Sequence, residues 1–208
     1  MADYTFYTNP MSRGQIARWA LHEAGASYDQ VIVDWANKPT ALLDANPFGK
    51  VPTIIHHYVA GDRVVTEAAA ICHYLAEMHP EVGLLPGDAE MADYFRWLFF
   101  AAGPIEQAIM ARHLKCEPTA EQQPMAGWGS FDRAIGALEQ HLADRNFVCG
   151  NRFTMADVYV GSQIDWGLTF GTVPPLLPFV AYVEQLQART AYKAAKAIDN
   201  ALITEMRK

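Results

Sequence analysis

The first third of the chain alternates strand-like and helix-like patterns of apolar residues. Residues Tyr4–Thr8 are aromatic or β-branched, and the Asn9-Pro10 dipeptide interrupts them. Residues 13–24 place apolar side chains on one helical face, and residues 28–33 again favour a strand. This order predicts a strand–helix–strand unit with parallel pairing.

The next segment predicts a short helix, a hairpin and another helix. Residues 40–45 favour helix, residues 53–57 and 63–65 favour two strands joined by a turn, and residues 67–78 have apolar side chains at helical spacing. Together with the preceding unit, they predict a small mixed sheet with helices packed on it.

Beyond residue 79 the pattern predicts helices only. Apolar spacing favours helices over residues 89–113, 131–142, 154–168, 178–189 and 191–206. The first of these is apolar nearly all round, so we expect it to be buried on several sides. We therefore predict an α+β domain at residues 1–79, a linker rich in Pro and Gly at 80–88, and an all-helical domain at 89–208.

Composition narrows the classes of function. The net charge is -7, and lysines and arginines form no basic run, which argues against nucleic-acid binding. The N-terminus lacks the features of a signal peptide, and no stretch approaches about 18 consecutive apolar residues, so we expect a cytoplasmic protein without a membrane partner. Three widely spaced cysteines without a CxxC pair predict reduced thiols and no metal site: Cys72, Cys116 and Cys149.

The segment NPFGKVPTI at residues 46–54 carries the first chemical signal. Pro52 begins a strand without an N–H to donate, and the Val51–Pro52 bond is a candidate cis peptide. That geometry would turn the N–H and C=O of Val51 outward, where an extended peptide could pair with them. The alternative is an ordinary proline in a loop.

Glu67 follows a predicted strand and opens a helix. The free N–H groups of Ala68 and Ala69 could hold the carboxylate of an α-amino acid, while the Glu67 carboxylate attracts its ammonium group. The alternative is a glutamate that only complements the helix dipole.

Ser12 and Arg13 lie between the first strand and the first helix. A hydroxyl there could donate to a bound thiolate, and the helix N-terminus and the guanidinium would add positive potential. A serine that caps the helix is an alternative that is compatible with this role. Farther along, Thr154 and Asp157 have the spacing of a capping box, which indicates a structural role.

In combination, the segments YTFYTNPMSRG, NPFGKVPTI, TEAAAICHYL and NRFTMADVYV resemble the glutathione transferase superfamily over essentially the whole chain. The resemblance implies a thioredoxin-like domain that binds glutathione, a helical domain with a pocket for a hydrophobic electrophile, and a homodimer. Glutathione would be a co-substrate, and no metal is implied.

The resemblance also implies roles for single residues in glutathione binding. Val51 resembles the residue whose backbone pairs with the cysteinyl part of glutathione, and Pro52 resembles the cis-proline. Glu67 resembles the acidic residue near the γ-glutamyl group, and Lys50 a residue near the glycyl end. Ala68 stands where the family commonly has a serine, so only its backbone N–H could serve there.

Three residues are candidates for activating the thiol. Tyr7 resembles in position the tyrosine of some classes, whereas counting back from ALHEAG sets Ser12 and Arg13 against the serine or cysteine of the zeta and beta classes. We favour Ser12 as the thiolate partner with Arg13 as electrostatic support. The absence of a cysteine here argues against thiol–disulfide exchange through the protein.

We therefore expect an enzyme that attacks small hydrophobic electrophiles with the glutathione thiolate. A glutathione-dependent isomerase or peroxidase is the alternative enzyme, and a non-catalytic binding or regulatory protein is the alternative of another class. Residues 97–107 and 166–170 are candidates for lining the electrophile pocket; the alternative is core, which aromatic residues at helical spacing form more often. The apolar residues 94–100 predict a subunit contact.

Overall fold

The structure, a computed structural model, describes residues 2–207. Its contacts divide the chain into two compact units. The first contains the residues up to Leu85 and those from Ala188 onward, and the second spans Pro86–Gln187. The prediction assigned the last helix to the helical domain at 89–208, whereas the contacts assign it to the first unit. The domain boundaries stay a prediction.

The strands are β1 Tyr4–Thr8, β2 Tyr28–Ile32, β3 Thr53–His56 and β4 Arg63–Thr66. The helices are α1 Gly14–Glu23, α2 Thr40–Ala45, α3 Ala68–Met78, α4 Met91–Phe100, α5 Glu106–His113, α6 Phe131–Leu142, α7 Met155–Phe170, α8 Leu177–Gln187 and α9 Thr190–Met206. A 3₁₀ turn at Pro80–Val82 and a π-helical turn at Ala101–Ile105 complete the regular structure of residues 2–207.

The first unit contains one four-stranded mixed sheet in the order β2-β1-β3-β4. Strands β1 and β2 are parallel, and the β1–β3 and β3–β4 pairs are antiparallel. The predicted α+β fold class, a thioredoxin-like sheet domain followed by helices, is confirmed. Helix α9 returns to the first unit and packs along α1.

The second unit begins with α4, the π-helical turn and α5 as one continuous helical segment. Pro104 lies inside the π-helical turn, and its missing N–H cannot make the usual bond to the preceding turn. The expected burial of this segment on several sides is wrong in part. Tyr94, Trp97 and Leu98 are buried, but Phe99 is 66% exposed.

The predicted capping box at the start of α7 is confirmed. The side chain of Thr154 and the carboxylate of Asp157 each accept from the main chain of the other residue. Asp157 also accepts hydrogen bonds from the N–H of Val148 at 2.7 Å and from the hydroxyl of Tyr182 at 2.8 Å. This buried carboxylate therefore ties the loop before α7 to α8.

The three cysteines are free thiols, as expected. Within residues 2–207, the helices are too short or too polar to cross a membrane.

Candidate functional site

Three loops meet at one end of the sheet. In the strand register, Tyr7 of β1 pairs with Thr53 of β3, and Thr53 pairs with Thr66 of β4. The loop after β1, the Val51–Pro52 segment before β3 and Glu67 after β4 therefore start from neighbouring positions. The pairing brings together residues that are more than fifty positions apart in the sequence.

Asn9 organises the loop after β1. Its fully buried side chain donates to the carbonyl of Val33 at 3.0 Å and accepts from the N–H of Met11 at 2.9 Å. Its main-chain carbonyl accepts from the hydroxyl of Ser12 at 2.7 Å. Because Asn9 is hydrogen-bonded on both sides of its side chain, the loop that carries Ser12 has a fixed conformation.

Ser12 is half-buried, and its hydroxyl already has two partners. It donates to the Asn9 carbonyl and accepts from the N–H of Gly14 at 3.0 Å. Arg13 is the N-cap residue of α1 and makes no side-chain cap hydrogen bond, so Ser12, one residue earlier, supplies the hydroxyl that accepts from the first turn of the helix. To donate to a thiolate, Ser12 must turn its proton away from the Asn9 carbonyl.

The other two candidates for thiol activation differ in exposure. Arg13 is exposed at the first turn of α1. Tyr7 is only 5% exposed and packs with Val33 and Leu42 in a small apolar cluster. The structure thus places Tyr7 in the core of the first unit, and its assignment as the thiol-activating group stays a prediction.

Asn46 organises the second loop. Its buried side chain donates to the carbonyl of Lys50 at 3.1 Å and to the Thr53 hydroxyl at 3.0 Å, and accepts from the N–H of Phe48 at 3.1 Å. The Val51–Pro52 bond is cis. Within residues 2–207 the main chain of Val51 has no hydrogen-bond partner, so its N–H and C=O are available to an extended ligand.

Two lysines lie at this loop. The Lys50 ammonium is exposed and lies 5.6 Å from the centre of the Phe48 ring. The ammonium of Lys38 lies 3.3 Å from the point where a Cβ would stand on Gly49. The family resemblance predicts Lys50 as a binding residue, whereas Lys38 belongs to no motif and lies eleven residues before Gly49, so no sequence pattern marks it as a candidate.

Glu67 has an unusual backbone conformation for a residue with a side chain. Its φ is 63° and its ψ is 118°, a strained region that is concentrated at functional sites. Glu67 is exposed, and the first helical hydrogen bond of α3 runs from Ile71 to its carbonyl at 2.8 Å. The N–H groups of Ala68, Ala69 and Ala70 therefore have no acceptor in their own helix.

The second unit contains a separate cavity of about 480 Å³, a size typical of small-molecule pockets. Its lining includes apolar side chains such as Ile109 and Phe131, and charged ones such as Arg112 and Asp132. The guanidinium of Arg112 lies 3.5 Å from the centre of the Phe131 ring. Six of the eight lining residues fall just after the predicted ranges 97–107 and 166–170, Phe131 and Asp132 come from the start of α6, and Trp97 itself is core.

Comparison with known proteins gives the family. The sequence profile for "Glutathione S-transferase, N-terminal domain" matches residues 2–77, and that for "Glutathione S-transferase, C-terminal domain" matches residues 107–166. "Glutathione S-transferase 2" of Schizosaccharomyces pombe is 31% identical over 185 residues, which cover 82% of this chain and 77% of that protein. The chain belongs to the glutathione S-transferase family.

Two further relatives show the range of proteins that this chain resembles. A sphingomonad glutathione S-transferase, solved in complex with glutathione, is 26% identical with a TM-score of 0.74 and covers 94% of this chain and 98% of its own. "Elongation factor 1-gamma" of Prunus avium is 29% identical over 142 residues, which cover 64% of this chain but only 32% of that protein. The family therefore also includes a much longer protein whose name does not denote a transferase.

Proposed function

We propose that this glutathione S-transferase binds glutathione at the end of its sheet and delivers the thiolate to a small hydrophobic electrophile. The observation that carries the proposal is the register Tyr7–Thr53–Thr66, which gathers Ser12, Val51 and Glu67 at one end of the sheet. Catalysis then rests on lowering the pKa of the thiol and on proximity.

The candidate site offers a complementary protein group for each part of glutathione. The unpaired N–H and C=O of Val51 suit the cysteinyl backbone, as in strand addition. The N–H groups at the start of α3 suit the γ-glutamyl carboxylate, and Glu67 suits its ammonium. Lys50 and Lys38 supply positive charge for the glycyl carboxylate, so a chain of net charge -7 still offers a locally positive end.

The test has two stages. Immobilised glutathione should retain the protein and free glutathione should elute it. Turnover is then measured with glutathione against an aryl halide, an epoxide, a hydroperoxide and a maleyl compound. No retention at millimolar glutathione would contradict the proposal.

The same screen separates the rival functions. Activity with the hydroperoxide or the maleyl compound alone would identify a glutathione-dependent peroxidase or isomerase. Binding without any turnover would favour a non-catalytic member of the family, a possibility that the elongation-factor relative and Ala68 keep open.

We also propose that the protein forms a homodimer through α4. Met91, Phe95 and Phe99 are spaced four residues apart, so they lie on one face of this helix. Met91 is 43% exposed and Phe99 66% exposed, and the rings of Phe95 and Phe99 stack at 6.3 Å. A second copy of the chain would cover this apolar face.

A further inference from the structure

Helix α9 is fixed to α1 by two ion pairs. Arg18 donates to Asp199 at 2.9 Å, and both side chains are fully buried. Near the other end of α1, Glu23 accepts from Arg189 through both of its carboxylate oxygens, at 2.6 and 2.7 Å. Because each pair joins the two helices directly, the position of α9 relative to α1 is set by charged hydrogen bonds.

Between these anchors, one lysine of α9 reaches the first turn of α1. The Lys196 ammonium donates to the side-chain oxygen of Gln15 at 2.7 Å. The side-chain nitrogen of Gln15 in turn donates to the main-chain carbonyl of Pro10. Pro10 follows Asn9, whose carbonyl holds the hydroxyl of Ser12. A continuous polar connection therefore runs from α9 to the loop that carries Ser12.

We propose that Lys196 is a positioning residue for the thiolate end of the site and acts through Gln15. This inference rests on the proposed function. Gln15 uses both ends of its amide, so its orientation depends on Lys196, and the Pro10 carbonyl depends on Gln15. Loss of either side chain would loosen the turn that orients Ser12 and the first N–H groups of α1 toward the bound thiolate.

The charge of Lys196 contributes in the same direction. Lys196 acts electrostatically on Asp199, the ion-pair partner of Arg18, and its ammonium lies 5.4 Å from the centre of the Tyr192 ring. Lys196 thus adds a positive charge beside the N-terminal turn of α1, where the helix dipole already favours an anion.

The experiment is a pH titration of the thiolate absorbance of bound glutathione, combined with kcat and KM. The variants are Lys196→Met, Gln15→Leu and the double variant. Lys193→Met is the matched control, because Lys193 is an exposed lysine on the same helix, one turn earlier.

Each single variant should raise the pKa of the bound thiol by about half a unit to one unit, and lower kcat near neutral pH by about threefold to tenfold. KM should change less than about twofold, since Val51 and Glu67 are untouched. The double variant should be no worse than the worse single one, because both act through one connection. Lys196→Arg keeps a positively charged donor, so its thiol pKa and kcat should stay close to the wild-type values.

The outcomes separate the two proposals. A wild-type protein without a bound thiolate overturns the proposed function and this inference together. A normal wild-type thiolate that shifts in Ser12→Ala but not in Lys196→Met or Gln15→Leu overturns this inference alone. Equal shifts in Lys196→Met and Lys193→Met, or additive shifts in the double variant, also overturn it.

Discussion

The two Asn-Pro dipeptides of the first unit have the same hydrogen bonding. In both Asn9 and Asn46, the side-chain oxygen accepts from the main-chain N–H two residues later, at 2.9 and 3.1 Å. In both, the side-chain nitrogen donates to a carbonyl farther along the chain, at 3.0 and 3.1 Å. Since both amides are buried, each fixes one loop of the candidate site from the interior of the first unit.

Replacing Asn46 should weaken glutathione binding through the loop that presents Val51. Asn46→Ala removes three hydrogen bonds, one of them the buried bond to the Thr53 hydroxyl, so the free energy of unfolding should fall by about 2 to 3 kcal/mol. The dissociation constant of glutathione, measured by calorimetry, should rise about tenfold because the loop is no longer preorganised. Asn37→Ala, at an exposed position, is the control and should change neither quantity.

Replacing Ser12 tests the thiolate donor. Ser12→Ala should raise the pKa of the bound thiol by about 1 unit, at the low end of the range for a hydrogen bond to a charged group, because Ser12 must also leave the Asn9 carbonyl. Turnover near neutral pH should fall about tenfold and recover as the pH rises. The readout is the thiolate absorbance.

The conservative variant Ser12→Thr keeps the hydroxyl and should behave like the wild type. If Arg13→Ala or Tyr7→Phe shifts the pKa while Ser12→Ala does not, the assignment of Ser12 is wrong.

The sequence predicted those site residues that lie in recognisable local motifs. Pro52 belongs to NPFGKVPTI and Glu67 opens a helix directly after a strand, and both signals are visible in a single chain. Asn9 was recognised only as part of a dipeptide that interrupts a strand, and Asn46 only as the first residue of NPFGKVPTI, because the hydrogen-bond partners of their side chains are set by the folded chain. Lys38 resembles any other lysine in the sequence, and only the fold brings its ammonium close to Gly49.

Among the elements, the helices beyond residue 79 were predicted in place, but the segment predicted as one helix over 89–113 is divided into α4, a π-helical turn and α5. The apolar pattern runs through residues 89–113 without a break, whereas Pro104 forces a π-helical turn at Ala101–Ile105. The capping box at α7 was predictable because its signal is local, with Thr154 and Asp157 only three residues apart.

The buried carboxylate of this capping box predicts a pH dependence of stability. Burial raises the pKa of Asp157 from 3.8 to about 6, although four hydrogen bonds to its oxygens act against that shift. Since the pKa in the folded state lies above the ordinary value, the protonated form is favoured by folding. The contribution to stability is present below about pH 4 and is lost as the pH rises through about 6.

The difference in the free energy of unfolding between wild type and Asp157→Asn isolates this effect, because the contributions of the other titratable groups cancel. The asparagine variant should be less stable at every pH, since its NH₂ faces main-chain donors, but the difference should shrink by up to about 3 kcal/mol between pH 4 and pH 7. Urea unfolding at several pH values measures it. Parallel stability curves for the two proteins would contradict the raised pKa.

For the whole molecule, the apolar segment 94–100 serves two purposes that the sequence pattern could not separate. Tyr94, Trp97 and Leu98 complete the core of the second unit, which leaves Phe95 and Phe99 at the surface. A helix that is apolar all round predicts contact on all sides, yet the pattern does not say which contacts come from the same chain. We expect the solvent-facing half, with Phe95 and Phe99, to contact a second copy of the chain.

The expected assembly is a homodimer that a charge on this face disrupts. Phe99→Asp should convert the dimer to a monomer at micromolar concentration in sedimentation velocity, because a partner would have to bury an unpaired carboxylate against apolar side chains. The fold should survive, since Phe99 is 66% exposed and adds little to the core. Met125→Asp places the same charge on a residue that is 92% exposed in a loop, and it should leave the dimer intact. A monomeric wild type, or equal dissociation of both variants, would show that the α4 face is not the subunit contact.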